Sequence, residues 1–182
     1  MILDLKSMRY NRSQRGITLT ETVVYVALLG AMVVLVANFL IQVVNVYNRV
    51  RAEREVLSNA RLLLETVDKN NSDAAEVYGS TSRFNTDSGQ LSLVTAVGPT
   101  AEHTVNYVDF WVDNGGLWTK KEGSSSSLIS ASSVRVTKFR IERILQGLAR
   151  ESVRIILRLE YANTAFPSVI TLTSTTALRG NY

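Results

Sequence analysis

No charged side chain occurs between Glu21 and Arg49. Within that interval Thr22–Ile41 is apolar apart from Thr22 and Asn38, and no proline interrupts it. At about 1.5 Å of rise per residue, such a helix spans roughly 30 Å, the thickness of a bilayer's hydrocarbon core. The sequence therefore predicts a membrane-crossing helix rather than a core helix. A cleavable signal peptide is the alternative. It requires a shorter apolar core and small residues at the −3 and −1 positions. Ala37 can stand at −1, but Leu35 fits −3 poorly.

Charge around this run is informative in a local way. The chain of 182 residues suits one domain with an appendage, and its net charge is +4. Most of that excess comes from Lys6, Arg9, Arg12 and Arg15 against Asp4; the remainder nearly balances. Overall charge thus does not point to a nucleic-acid binder. Arg49, Arg51, Arg54 and Arg61 follow the apolar run, so the positive-inside bias is weak. The absence of cysteine excludes disulfides, thiolate catalysis and Cys-ligated zinc, and a single histidine leaves no His-rich metal site.

Glu21 does not suit a plain anchor. A carboxylate carried into hydrocarbon costs about 2–3 kcal/mol unless it is paired or lies near the surface. Two accounts remain open. Glu21 sits at the interface and is stabilised by the positive helix N-terminus, or it has a cationic partner in a neighbouring chain.

The segment Arg15-Gly16-Ile17-Thr18-Leu19-Thr20-Glu21, followed by an apolar run, resembles the leader of type IV prepilins. Five features coincide at fixed spacing: a basic leader, Gly16, the Thr18-Leu19 pair, Glu21 and a charge-free helix. The resemblance implies cleavage between Gly16 and Ile17 by a prepilin peptidase, followed by methylation of the Ile17 amine. It also implies that Glu21 attracts the N-terminal amine of an adjacent subunit, each group satisfying the other in a low-dielectric filament core. Gly16, without a side chain, lets a peptidase approach the backbone closely. Thr20 departs from the family's usual bulky apolar residue. Asn38 stands where many major pilins have a helix-kinking proline, which points to a minor subunit or pseudopilin.

Beyond the membrane the helix continues. Val43, Val46, Val50, Leu57, Ala60, Leu64 and Val67 recur at three- to four-residue spacing, broken by Glu53, with Arg49, Arg51, Arg54, Glu55, Asn59 and Arg61 on other faces. The polar run Asp68–Asp73 is expected to end it. An EF-hand requires Gly and Glu where Asp73 and Gly79 stand, so Asp68–Glu76 reads as a solvated loop.

Strands are expected afterwards. Leu91, Leu93, Thr95 and Val97 alternate in one, and Val105–Val112 forms a second. Asn114-Gly115-Gly116 is a hairpin turn returning through Leu117–Lys121. Ser124–Ser127 is a short loop. Val134, Val136, Phe139 and Ile141 predict a strand with a phase slip, hence a bulge. Val153–Tyr161 alternates cleanly, and Val169–Thr176 is the last strand, with Pro167 breaking the chain before it. From Tyr107 to Tyr161 this pattern resembles the J-type minor pseudopilins of type II secretion.

The expected fold is α+β: a long N-terminal helix, transmembrane in one half and amphipathic in the other, packed on an antiparallel β-sheet as in pilins. Its parts are a cytoplasmic leader at 1–16, a transmembrane helix at 17–42, an amphipathic continuation at 43–68 and a globular sheet head at 69–182.

Candidate chemistry is sparse. His103 lacks a nucleophile-elbow motif nearby, and no nucleotide-binding or zinc-protease motif occurs. Arg140, Arg143, Arg150, Arg154 and Arg158, near Phe139 and Tyr161, form a candidate basic stripe for DNA phosphates. Balance by Glu142, Glu151 and Glu160 is the simpler account, which makes DNA the weaker partner. Ala27, Gly30 and Ala31 form a small face suited to close helix packing. The expectation is a non-enzymatic structural subunit without cofactor or metal. Its partners are the membrane, a prepilin peptidase, and other pilins or pseudopilins met through the N-terminal helix. A non-assembling, single-pass anchored extracytoplasmic domain is the main alternative; an enzyme or DNA-binding module on a membrane stalk is a third.

Overall fold

A computed structural model describes residues 16–96, 105–145 and 151–179. Helix α1 runs Leu19–Asp73, 55 residues. The chain divides into two compact units, Met1–Asn45 and Val46–Tyr182.

In the first unit the described helical residues are exposed throughout, including Val23, Leu28, Leu35 and Phe39. This segment belongs to a helix long and apolar enough to cross a membrane. A helix that is apolar on every face gains nothing from water and needs a nonpolar cover all round.

In the second unit α1 buries Ala52, Val56, Ala60, Leu63, Val67 and Asn71. This face is rotated from the expected stripe. Val43, Val46 and Val50 are exposed, and Leu57 and Leu64 are only half-buried at its flank. Ala52 and Ala60 are buried within it, although their small side chains register only weakly as hydrophobic.

The expected helix end is also corrected. Asp68–Asp73 is helical, and strand β1, Ala74–Val77, follows directly where a solvated loop was expected. Two of the polar side chains there, Asp68 and Asn71, bond to Thr176. Asn71 Nδ2 donates to Thr176 O at 3.2 Å, and Thr176 Oγ1 donates to Asp68 Oδ1 at 2.8 Å. Thr95 Oγ1 donates to Asp73 O at 3.2 Å, satisfying one of the helix's terminal carbonyls.

The remaining strands are β2 (Gln90–Thr95), β3 (Asn106–Asp113), β4 (Gly116–Lys121), β5 (Ser127–Leu128), β6 (Val134–Ile144), β7 (Ser152–Tyr161) and β8 (Val169–Ala177). All pair antiparallel, but in two sheets rather than one, ordered β1-β2-β3-β4-β5 and β6-β7-β8. The division falls at the outer edge of β6, which is bonded by loops. Gly89 N donates to Phe139 O at 2.9 Å, Phe139 N to Asp87 O at 2.8 Å, and Val136 N to Gly115 O at 2.8 Å.

Local sequence explains the strand ends. Asn114 (φ 49°) and Gly115 (φ 76°) both take left-handed conformations, as a two-residue type I′ hairpin requires, and Asp113 pairs with Gly116. In β6 the register shifts between Val136 and Lys138, so Thr137 is the extra residue. That bulge lets Val134, Val136, Phe139 and Ile141 all point inward despite their broken alternation. Val56, Leu63, Leu91, Phe110, Phe139 and Leu157 anchor one core between helix and sheets. Burial of each such side chain is worth about 1.5–3 kcal/mol.

Candidate processing and assembly site

Gly16, Ile17 and Glu21 lie at and just before the start of α1. Thr18 is the N-cap. Its Oγ1 accepts the Glu21 N–H at 3.2 Å, and its carbonyl accepts the Thr22 N–H at 3.1 Å and the Thr22 hydroxyl at 3.2 Å. Thr18-Leu19-Thr20-Glu21 is a capping-box sequence, with the hydroxyl satisfying a first-turn N–H that has no helical acceptor. The Glu21 carboxylate accepts the Tyr25 hydroxyl at 3.1 Å on Oε1. Glu21 is also the acidic residue of the first turn, where the helix dipole favours negative charge.

All these groups are exposed. Ile17 keeps 71 % of its surface open, and a Cβ built on Gly16 or Gly30 meets nothing within 4 Å. Neither glycine is required by packing among the described residues. The small face of Ala27, Gly30 and Ala31 is likewise uncovered. The start of α1 therefore presents the exposed Ile17, a carboxylate and an apolar surface to whatever surrounds it.

Sequence spacing brought Gly16, Ile17 and Glu21 into view but not the cap or Tyr25. Both were signalled, by the Thr-x-x-Glu pattern and by a four-residue spacing that puts Tyr25 over Glu21 on one helix face.

Along β6 and β7 several charged side chains are paired. Arg140 lies 3.4 Å from Glu142, which also takes Arg154 at 3.4 Å; Arg158 lies 3.3 Å from Glu160, and Arg143 pairs with Glu151. The stripe considered for DNA is a balanced network along β6 and β7; its member Arg150, like His103 and the leader residues Lys6, Arg9, Arg12 and Arg15, lies outside the described residues. A groove of about 640 Å³ between α1 and the β2–β3 pair is lined by Glu65, Lys69, Asp73, Thr95, Asn106 and Lys121, among others. No group of three or more His, Asp or Glu side chains suited to a metal converges among the described residues. Comparison with protein-family models, curated proteins and solved structures gives no match.

Proposed function

We propose that this chain is a minor pilin or pseudopilin. It is a structural subunit inserted in the cytoplasmic (inner) membrane with its head outside the cytoplasm. A prepilin peptidase cleaves it between Gly16 and Ile17, the Ile17 amine is methylated, and the subunit joins, or primes, a type IV pilus or a type II secretion pseudopilus. It has no catalytic role of its own.

The observation that carries this proposal is the placement of one carboxylate. Glu21 stands exposed in the first turn of a helix that is apolar on every face for the rest of its first unit. Cleavage before Ile17 puts a new cationic amine four residues from Glu21 in sequence. Two parallel helices staggered along their axes then set the amine of one beside the carboxylate of the other, so that neither charge lies alone in hydrocarbon. Gly16 supports the same proposal, because its lack of a side chain serves no contact among the described residues.

The local partners of Glu21 favour a second reading, a single-pass anchor that never assembles. A carboxylate held by a cap and by Tyr25 is already partly satisfied at an interface. Intact-mass measurement and N-terminal sequencing of the protein extracted from its native membranes separate the two. A chain that begins at N-methyl-Ile17 supports the filament subunit, and a chain that retains Met1 supports the anchor. Glu21→Ala then tests assembly itself: it should leave cleavage intact and lower co-purification with other pilins, whereas undiminished co-purification defeats the charge-pairing mechanism.

A further inference from the structure

β8 is the last strand of its sheet; among the described residues no main-chain partner faces the outer edge of Val169–Ala177, and just past its end Arg179 N–H donates to Ala74 O of β1 at 3.0 Å. Two bonds fix which groups point outward. Tyr161 N–H donates to Ser168 O at 2.8 Å, and Leu178 N–H donates to Glu151 O at 2.9 Å. Given the unbroken register between them, the even-numbered residues of β8 turn their N–H and C=O groups toward β7. Val169, Thr171, Thr173, Thr175 and Ala177 turn theirs away from the sheet.

Proteins ordinarily blunt such an edge with charge, proline, a bulge or brevity. β8 uses none of these: it has nine residues, no charge, no proline, and no register shift against β7. The other edges of this molecule are treated differently. β1 is four residues long and its Ala74 O accepts Arg179 N–H at 3.0 Å, β5 is two residues long, and the outer edge of β6 is bonded by residues 85–89 and Gly115.

The flank of β8 adds chemical character. Where α1 passes the start of the strand, a groove of about 560 Å³ holds Val50, Arg54 and Leu57 against Ser168, Val169 and Ile170. Arg49 in the same groove is paired with Glu53 at 3.4 Å. Arg54 and its neighbour along the helix, Arg61, make no ion pair among the described residues. A strand laid on β8 meets the apolar Leu57 and Ile170 on its inner side and an unpaired cation near one end. The edge strand of a second copy carries no acid to offer that cation.

The geometry points to β8 as an acceptor edge for an extended strand of a different protein. The added strand runs antiparallel to β8, turns alternate apolar residues toward α1, and carries an acidic side chain near its C-terminal end, where it passes Arg54.

The test uses the full-length protein in detergent micelles and a synthetic peptide matched to β8 in length, alternating valine and threonine, with a glutamate near its C-terminus. Binding should slow hydrogen exchange at the amides of Thr171, Thr173 and Thr175 while leaving those of Leu172 and Ser174 unchanged. Two N-methylated versions of the peptide, blocked at alternate amides, should differ in affinity by at least about tenfold, since only one set of amides faces β8. Arg54→Glu should invert the preference between the glutamate peptide and its lysine counterpart, again by about tenfold. Failure of the glutamate peptide to bind, equal affinity of the two methylated peptides, or binding without the alternating protection overturns the proposal. So does protection of the same amides that grows with protein concentration in the absence of peptide, which assigns the edge to a second copy instead.

Discussion

The hydroxyl of Tyr25 donates to the carboxylate of Glu21 at 3.1 Å, one helical turn away. Both residues are exposed, and the bond joins them along one face of the helix. Removing it with Tyr25→Phe should raise the cost of holding Glu21 at the edge of hydrocarbon by about 1 kcal/mol. The expected outcome is a smaller alkali-resistant membrane fraction of the unassembled protein. If the chain assembles as proposed, the amount that co-purifies with pilins should change less, because a neighbouring amine would replace the tyrosine there. Identical membrane fractions for Tyr25→Phe and the parent chain would show that the bond is incidental.

Thr18 performs a separate task at the same turn. Its hydroxyl accepts the Glu21 N–H, so Thr18→Ala should destabilise the first turn by about 1 kcal/mol, and Thr18→Ser should restore it. Hydrogen exchange at the amides of Glu21 and Thr22 reads this directly. Faster exchange in Thr18→Ala and near-normal exchange in Thr18→Ser are expected. Equal rates in all three proteins would remove Thr18 as the cap.

Asn71 joins the helix to the last strand from a fully buried position, through its bond to Thr176 O. Asn71→Ala loses that bond and opens a small cavity, which together should cost about 1–3 kcal/mol. Asn71→Asp should cost more, because it places an acceptor, charged at neutral pH, beside a carbonyl oxygen. Thermal melting of the full chain in detergent should rank the parent above Asn71→Ala and Asn71→Asp last. Asn71→Asp melting with the parent would mean that this site is open to water.

Local pattern made much of this fold legible. The Asn114-Gly115 turn needs two left-handed residues, and the sequence supplies the pair best able to adopt them. The slip from Val136 to Phe139 predicted a bulge, and the register places it at Thr137. The two failures arose where tertiary contacts outweigh pattern. Asp68–Asp73 looks like a loop until Thr176 and Thr95, far along the chain, supply its partners. The helix face holding Ala52, Val56 and Ala60 looks weakly apolar, yet packing against the strands makes it the buried one. Spacing picked out Gly16, Ile17 and Glu21, which lie at and just before the start of α1, but not the Thr18 cap or the Tyr25 bond. The open edge of β8 was not, since which strand ends a sheet is decided by pairing rather than by the strand's own residues.

Two glycines of opposite character give the last prediction. A Cβ at Gly89 would stand 2.6 Å from Phe139 O and 2.8 Å from Ile141 Cδ1, and the carbonyl is the very atom that accepts the Gly89 N–H. Backbone on that side cannot move without breaking the loop's bonds to β6. Gly89→Ala should therefore destabilise the second unit by about 1–3 kcal/mol, the usual cost of overpacking. A Cβ at Gly16 meets nothing within 4 Å, so Gly16→Leu should leave the melting temperature unchanged. If the peptidase acts at Gly16, the same substitution should abolish the mature N-terminus at Ile17. Melting and N-terminal sequencing of the two variants thus separate a glycine kept by the fold from one kept for processing. Normal maturation of Gly16→Leu would sink the leader assignment, and a parent-like melt for Gly89→Ala would show that the loop at β6 yields more readily than its bonds imply.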